Sequence, residues 1–261
     1  MSCEEWRNCV PSRFPPLDTH AHIDPAVTLD QASALEGAQV FAMTRSLTDA
    51  KRALLNQQSG IYWAIGCHPA VPAAVDEWNE GTFSALRRRA FLVGEVGLDR
   101  RASGAKQTQI LRSSLAASPG TVVSVHSAGR VKEVLDIIES TGATGVILHW
   151  FLGGAKDITR AHRLGCYFSV NAAMPEELLA ALPVERVLPE TDFPSSRAKT
   201  RATRPGDIRA LEQKFSGVLS WKVEDARRHW FRVLGELLHE SGALHRAPHQ
   251  LKQLIAAAED A

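Results

Sequence analysis

The sequence contains little cysteine and no long apolar run. Four of its 261 residues are cysteines, and no two of them form a Cys-x-x-Cys pair. Such sparse cysteines exclude a disulfide-stabilised scaffold and predict reduced thiols, as in cytoplasmic proteins. No apolar segment approaches the ~20 residues that a membrane-spanning helix needs, and residues 1–16 lack the apolar region of a secretory signal. We therefore expect a cytoplasmic protein that makes no use of a membrane.

The sequence also lacks an excess of either charge. It has 30 Lys and Arg residues against 29 Asp and Glu residues, which gives a formal net charge of +1. This balance excludes a general electrostatic attraction to nucleic acid or anionic membranes, so any binding of a polyanion must come from local patches. A hydrophobic fraction of 44% predicts an ordinary globular core.

Eight short apolar runs are present, and most are separated by segments with the pattern of amphipathic helices. The runs, predicted as buried parallel strands, span residues 17–23, 38–43, 61–66, 91–96, 121–125, 146–149, 166–170 and 187–188. Predicted helices between them include 49–58, 75–89, 107–117, 131–139 and 157–164, and others follow at 205–215, 223–240 and 250–258. This alternation favours an α/β fold, a TIM-like (β/α)8 barrel. We expect an N-terminal tail over residues 1–16 and a single domain over 17–261 that includes the C-terminal helices.

Two histidines, His20 and His22, lie near the end of the first run with one residue between them. In a strand, side chains at i and i+2 point to the same face, so the two imidazoles are able to bind one cation. Polar side chains also end or follow later strands, at His68, Glu95, Asp99, His126, His149 and Asp192. Since the C-terminal strand ends of a barrel carry its functional residues, we expect these groups to lie on one face.

Four imidazoles and two carboxylates of this set predict a site for two divalent metal ions. The expected ligands are His20, His22, Glu95, His126, His149 and Asp192. Two ions about 3.5–4 Å apart can share one carboxylate, an arrangement typical of enzymes that hydrolyse phosphoesters. Such ligands suit zinc, manganese or iron, and magnesium stays open as well.

Six short motifs carry these residues: His20-Ala21-His22, Gly66-Cys67-His68-Pro69, Gly94-Glu95-Val96-Gly97-Leu98-Asp99, Val125-His126-Ser127, Leu148-His149-Trp150-Phe151 and Glu190-Thr191-Asp192-Phe193-Pro194. In their order and spacing they resemble the motifs of the TatD family of metal-dependent deoxyribonucleases, over about residues 17 to 194. The resemblance implies an amidohydrolase-like TIM barrel that hydrolyses phosphodiester bonds in DNA.

The resemblance also implies roles for individual residues. The first metal would be held by His20, His22 and Asp192, the second by His126 and His149, and Glu95 would bridge the two. A metal-activated hydroxide would attack phosphorus, with Asp192 as the general base. His68 would lie near the scissile phosphate, where it would stabilise developing charge or assist the leaving group.

The residues that are expected to contact the substrate depart from the family pattern. Family members usually carry an arginine two residues after the histidine of the fifth strand, whereas Arg130 here follows His126 by four. A basic loop follows Asp192, and Arg100, Arg101 and Lys106 follow the fourth strand. The expected DNA-binding side chains are Arg130, Arg197, Lys199, Arg201, Arg204 and Trp150, with solvated loop charge or, for Trp150 and Phe151, core packing as the alternatives.

Three hypotheses about function follow. The first is a nuclease, most simply an exonuclease, acting on DNA ends or single strands. The second is a hydrolase of a small amide, lactone or phosphoester on the same barrel, although Glu95 stands where many such enzymes have a bridging lysine. The third is a non-catalytic subunit that senses nucleic acid. A short segment over 100–120 and the His149-Trp150-Phe151 motif also resemble divergent TatD-like proteins of Qat-type anti-phage systems, which would add defence partner proteins.

Overall fold

A computed structural model describes residues 13–102, 104–195 and 197–260. Eight parallel strands follow one another around one sheet in chain order. They are β1 (Leu17–Ala21), β2 (Gln39–Met43), β3 (Ile61–Ile65), β4 (Leu92–Gly97), β5 (Val122–His126), β6 (Val146–Leu148), β7 (Tyr167–Val170) and β8 (Val187–Pro189). Apart from His126, every strand residue is buried, which explains why most strands are rich in apolar residues and show no regular polar alternation. The predicted TIM-like barrel is confirmed.

Helices surround the strands and close the chain. They are α1 (Leu29–Ser33), α2 (Leu47–Ala53), α3 (Pro72–Asp76), α4 (Glu80–Arg87), α5 (Gly104–Ala116), α6 (Val131–Thr141), α7 (Ala155–Arg163), α8 (Glu176–Ala181), α9 (Arg197–Thr200), α10 (Arg209–Leu219), α11 (Val223–Glu240) and α12 (His249–Glu259). Among the described residues, none of the helices is both long and apolar enough to cross a membrane.

Several helix boundaries differ from the prediction for local reasons. The helix predicted over 75–89 is two helices, because the Asn79 side chain accepts a hydrogen bond from the Thr82 amide and starts α4 there. The helix predicted over 49–58 ends at Ala53, and the Asn56 side chain instead donates to the carbonyls of Pro25 and Val27. The helix predicted over 205–215 is shifted to Arg209–Leu219.

The first and last strands are joined by a mixture of backbone and side-chain hydrogen bonds. The Asp192 amide donates to the His20 carbonyl at 2.9 Å, and the Thr19 hydroxyl donates to the Pro189 carbonyl at 2.9 Å. The buried Asp18 carboxylate accepts the Thr191 amide at 3.0 Å. This junction places the segment after β8 directly beside the end of β1.

The predicted tail contributes to the core at its inner end. Phe14 is 1% exposed, and its ring centroid lies 5.9 Å from that of Phe231 in α11. The main-chain carbonyl of Phe14 accepts a hydrogen bond from Arg227. The packed domain therefore includes Phe14, while residues 1–12 of the predicted tail lie outside the described residues.

Replacing Phe14 with alanine tests this inclusion. We expect Phe14→Ala to lower the free energy of unfolding by about 3–5 kcal/mol, because it empties a buried aromatic site. Urea unfolding followed by circular dichroism measures the change. Leu29→Ala is the control, since Leu29 is 72% exposed. Equal stability of the two variants would show that Phe14 does not belong to the core.

Candidate metal centre

The ends of β1, β4, β5 and β6 bring four imidazoles around one buried carboxylate, that of Glu95. On one side, Nε2 of His22 and Nε2 of His20 lie 3.4 and 3.7 Å from Oε2 of Glu95. On the other side, Nδ1 of His126 and Nε2 of His149 lie 2.6 and 3.9 Å from Oε1. The two carboxylate oxygens therefore face two different pairs of imidazoles.

The sixth predicted ligand, Asp192, follows β8 and faces the first of these pairs. Its Oδ1 lies 3.6 Å from Nε2 of His22 and 4.0 Å from Nε2 of His20. Asp192 has a φ of 48°, in the left-handed region, and its amide is bonded to the His20 carbonyl. The closure of the barrel between β8 and β1 thus brings this carboxylate to the two histidines of β1.

The outward-facing nitrogens of three imidazoles are engaged by acceptors. Nδ1 of His149 donates to Glu190 at 2.8 Å, Nε2 of His126 donates to Asp99 at 3.0 Å, and Nδ1 of His22 donates to the Met43 carbonyl at 3.3 Å. In the neutral form of each ring, these acceptors hold the proton on the outer nitrogen, so the inner nitrogen is free to offer its lone pair to a cation.

Ser124 and Glu190 complete the surroundings of the imidazoles. The hydroxyl of Ser124 lies 2.8 Å from Nδ1 of His20. Glu190 is itself fixed by the Ser169 hydroxyl and by Nδ2 of Asn171, the latter at 2.9 Å. Rings held in this way cannot turn freely, which keeps each inner nitrogen aimed at Glu95.

The charges in the centre follow from burial and from these partners. Burial raises the pKa of the Glu95 carboxyl, but His126 and His68 outweigh it and hold that pKa well below its usual range. Burial lowers the pKa of His20 to about 3. Burial also lowers the pKa of His149, yet the Glu190 carboxylate outweighs it and raises the value to about 10, so a bound cation would have to displace the proton on Nε2.

The donor set fits a divalent cation. The buried Nε2 of His20 and both oxygens of Glu95 lack a hydrogen bond of good geometry to any residue that the structure describes. Buried polar atoms left in this state cost about 1–3 kcal/mol each, and a cation would satisfy them. Imidazole nitrogens and carboxylate oxygens are ligands that zinc and manganese accept. The cluster is therefore able to bind metal.

His68 faces the same centre with different chemistry. Its Nε2 lies 3.3 Å from Oε2 of Glu95, and its Nδ1 accepts the Ala70 amide at 3.0 Å. Because Nδ1 is an acceptor, the ring proton is on Nε2 and points into the site. Burial lowers the pKa of His68 to about 4, so the ring is neutral at pH 7. His68 presents an N–H donor and no lone pair to the centre.

The centre opens into a cavity of about 810 Å³ at the C-terminal ends of the strands. Two of the predicted DNA-binding residues, Lys199 and Trp150, line it. Phe151 does not, because it is fully buried with its ring centroid 5.1 Å from that of Phe168. The packing alternative thus applies to Phe151, whereas Trp150 faces the cavity.

The other predicted DNA-binding side chains are placed elsewhere. Arg130 is bonded to Glu133, and Arg204 is bonded to Glu36 and to the Ala34 carbonyl at 2.8 Å. Arg197 and Arg201 are exposed and lie outside the set of described residues that line the cavity. The structure does not bring these four to the candidate metal centre.

Sequence reasoning missed several neighbours of the centre. It assigned no role to Glu190, although Glu190 belongs to the same motif as Asp192. It also missed Ser124, a small polar residue inside an apolar run, and Arg45, a lone basic residue after β2 that lines the cavity. Hydroxyls and arginines at such places are common, so spacing alone did not single them out.

Weakening the support of His149 tests the orienting role of Glu190. We expect Glu190→Gln to lower zinc or manganese affinity about 10–100-fold, because the amide holds the Nδ1 proton of His149 less well. Calorimetric titration of metal-free protein measures this. Glu185→Gln, at an exposed position before β8, is the control. Unchanged affinity in a folded Glu190→Gln variant would contradict the role.

This chain is similar in sequence and in structure to several known proteins. The chain is 25% identical over 203 residues to "Uncharacterized metal-dependent hydrolase YabD" of Bacillus subtilis, covering 68% of this chain and 80% of that protein. It is 23% identical over 228 residues to "3'-5' ssDNA/RNA exonuclease TatD" of Klebsiella pneumoniae, covering 78% and 86%. The crystal structure of YJJV, a TatD homologue from Escherichia coli K12, superposes with a TM-score of 0.73 at 20% identity, covering 85% of this chain and 96% of that one.

The family model described as "TatD related DNase" matches residues 17–237. This range begins with β1 and ends within α11, so it contains all eight strands and every residue of the candidate metal centre. The chain is therefore a metal-dependent hydrolase of the TatD DNase family.

Proposed function

We propose that this chain hydrolyses phosphodiester bonds of single-stranded DNA from an end, with two divalent ions bound in the centre around Glu95. The observation that carries the proposal is the division of the Glu95 carboxylate, whose two oxygens face two separate pairs of imidazoles. His20, His22 and Asp192 would hold one ion, His126 and His149 the other, and Glu95 both. A shared carboxylate is typical of two-metal hydrolytic sites.

The protein's own residues supply the remaining chemistry. Divalent ions bound here would lower the pKa of water and offset the charge of a phosphate. The Asp192 carboxylate lies beside the nitrogens of His20 and His22, where one oxygen would hold the ion and the other would accept a proton from an attacking water. The N–H of neutral His68 points into the same space and is placed to donate a hydrogen bond to a phosphate oxygen.

The substrate part of the proposal rests on the cavity and on relatives. The Klebsiella pneumoniae relative is named as a 3'-5' exonuclease of single-stranded DNA and RNA. Trp150 lines the cavity beside His149, where its ring is available to stack on an unpaired base. Cationic side chains in the cavity favour a phosphodiester over a neutral amide or lactone. Membership of an anti-phage system, partner proteins and a cytoplasmic location stay predictions from the sequence.

Cleavage of end-labelled DNA tests the activity. With manganese or zinc, we expect the protein to shorten single strands faster than duplexes. Glu95→Ala and Asp192→Ala should each lower the rate by more than about 100-fold, since each removes a group that would hold an ion. Glu185→Ala and Asp30→Ala, at exposed positions, are the matched controls. The proposal fails if the wild type cuts no strand with any of these ions, or if both site variants cut normally.

Metal stoichiometry tests the two-ion part separately. We expect about two ions per chain in the wild type and about one in His149→Ala or His22→Ala, because each variant removes a ligand from one side of Glu95 only. Elemental analysis after equilibrium dialysis measures the number. His162→Ala, an exposed histidine of α7, should keep both ions. A single ion in the wild type would refute the two-metal centre while leaving the hydrolase assignment intact.

A further inference from the structure

Three cationic side chains in the cavity have no acidic partner among the residues that the structure describes. Arg45, Arg100 and Lys199 line the cavity, and none of their side chains forms a hydrogen bond or ion pair with a described residue. Four other cations of the segments after β4, β5 and β8 are paired: Arg101 with Asp99, Lys106 with Asp76, Arg130 with Glu133 and Arg204 with Glu36. The three unpaired cations, which we call the cationic arc, are therefore available to an anionic ligand.

Local contacts hold the backbone of Arg45 and place the stem of Arg100 beside the cavity. The carbonyl of Arg45 accepts the His68 amide at 3.0 Å, which ties the loop after β2 to the loop that carries His68. The stem of Arg100 lies across Gly129, where a β-carbon would come within 2.5 Å of its Cδ. Gly129 also has a φ of 70°, a backbone conformation that favours glycine, and the absence of a side chain there leaves room for the Arg100 stem.

The barrel order spreads the cationic arc around the mouth. Arg45 follows β2, Arg100 follows β4, and Lys199 lies in α9 after β8. In a ring of eight strands in chain order, β6 lies across from β2. The loop after β6 supplies Trp150 and Leu152 to the cavity, and Leu152 is 63% exposed. The mouth thus has cations on three sides and an apolar wall on the fourth.

We infer that Arg45, Arg100 and Lys199 bind the phosphates that flank the scissile one, with the bases of the strand directed to the apolar wall. Phosphate oxygens accept hydrogen bonds from guanidinium and ammonium groups, and such contacts position a strand regardless of its sequence. The enzyme accordingly selects a chain that carries several phosphates over an isolated diester. This inference rests on the proposed function, since it assigns residues to the same site.

Paired kinetics on two substrates test the inference. One substrate is a 15-nucleotide oligodeoxythymidylate, and the other is bis(4-nitrophenyl) phosphate, a diester with no flanking phosphate. We expect Arg45→Ala, Arg100→Ala and Lys199→Ala each to lower kcat/KM on the oligonucleotide roughly tenfold, mainly through a higher KM. On the small diester each variant should stay within about twofold of the wild type.

Matched controls come from the helix that follows Arg45. Arg52 and Lys51 of α2 are exposed, and neither belongs to the described lining of the cavity. Arg52→Ala and Lys51→Ala change the net charge equally, so both should retain wild-type kinetics on the two substrates. Equal losses on both substrates for the arc variants would assign a structural role, and no loss on the oligonucleotide would overturn the inference.

Binding without metal gives a readout that does not depend on activity. In the presence of a chelator, fluorescence anisotropy reports the affinity of the labelled 15-nucleotide strand over a range of salt concentrations. Each arc variant should reduce the slope of log K against log salt by about 0.7, the value for one lost phosphate contact on a single strand. Unchanged slopes would contradict the inference.

The proposed function and the role of the cationic arc are refuted by different results. If the wild type cleaves neither substrate, the proposed function is wrong, and the salt slopes still decide whether the arc binds phosphates. If it cleaves both substrates but the arc variants match the controls, the phosphodiesterase stands and the cationic arc is wrong.

Discussion

The buried carboxylate of Glu95 is the group on which the rest of the site depends. It is 1% exposed, and an isolated ionised carboxylate at such a position would be too costly to keep charged. Its pKa is nevertheless held low, because His126 and His68 stabilise the charged form more than burial destabilises it. The ionised carboxylate of Glu95 and the imidazoles around it therefore form a group that is suited to binding cations.

The barrel provides what this carboxylate requires. Parallel strands place their carboxyl ends on one face, so residues far apart in the chain meet there. Two further hydrogen bonds stabilise the junction of β1 and β8, since the Asp18 carboxylate accepts the amides of both Thr191 and Gly206. Asp192 follows directly after these contacts, and its position against His22 depends on them. The same junction thus joins the first and last strands of the barrel and positions Asp192 in the candidate metal centre.

Much of the fold and of the metal centre was predictable from the sequence, because a parallel barrel brings the C-terminal ends of its strands to one face. The eight runs gave the strand order, and the strand-end histidines and acids gave the group that surrounds Glu95. Helix ends were predicted less well, as at 75–89, where the cap at Asn79 divides one helix into two. The substrate side was predicted least well: Arg130 and Arg204 are held by acids, and Arg45 lines the cavity instead.

The sequence by itself determined the fold, the family and the residues that gather at the centre, since periodicity and strand-end position are properties of the chain. Only the tertiary structure decided how those residues act. The tautomer of His68 follows from the Ala70 amide, and the orientation of the His149 ring follows from Glu190. Which cationic side chains stay available to a ligand depends on which acidic side chains lie close enough in space to pair with them. Hydrogen-bond partners and ion pairs are set by distances between loops, and sequence spacing does not encode these distances.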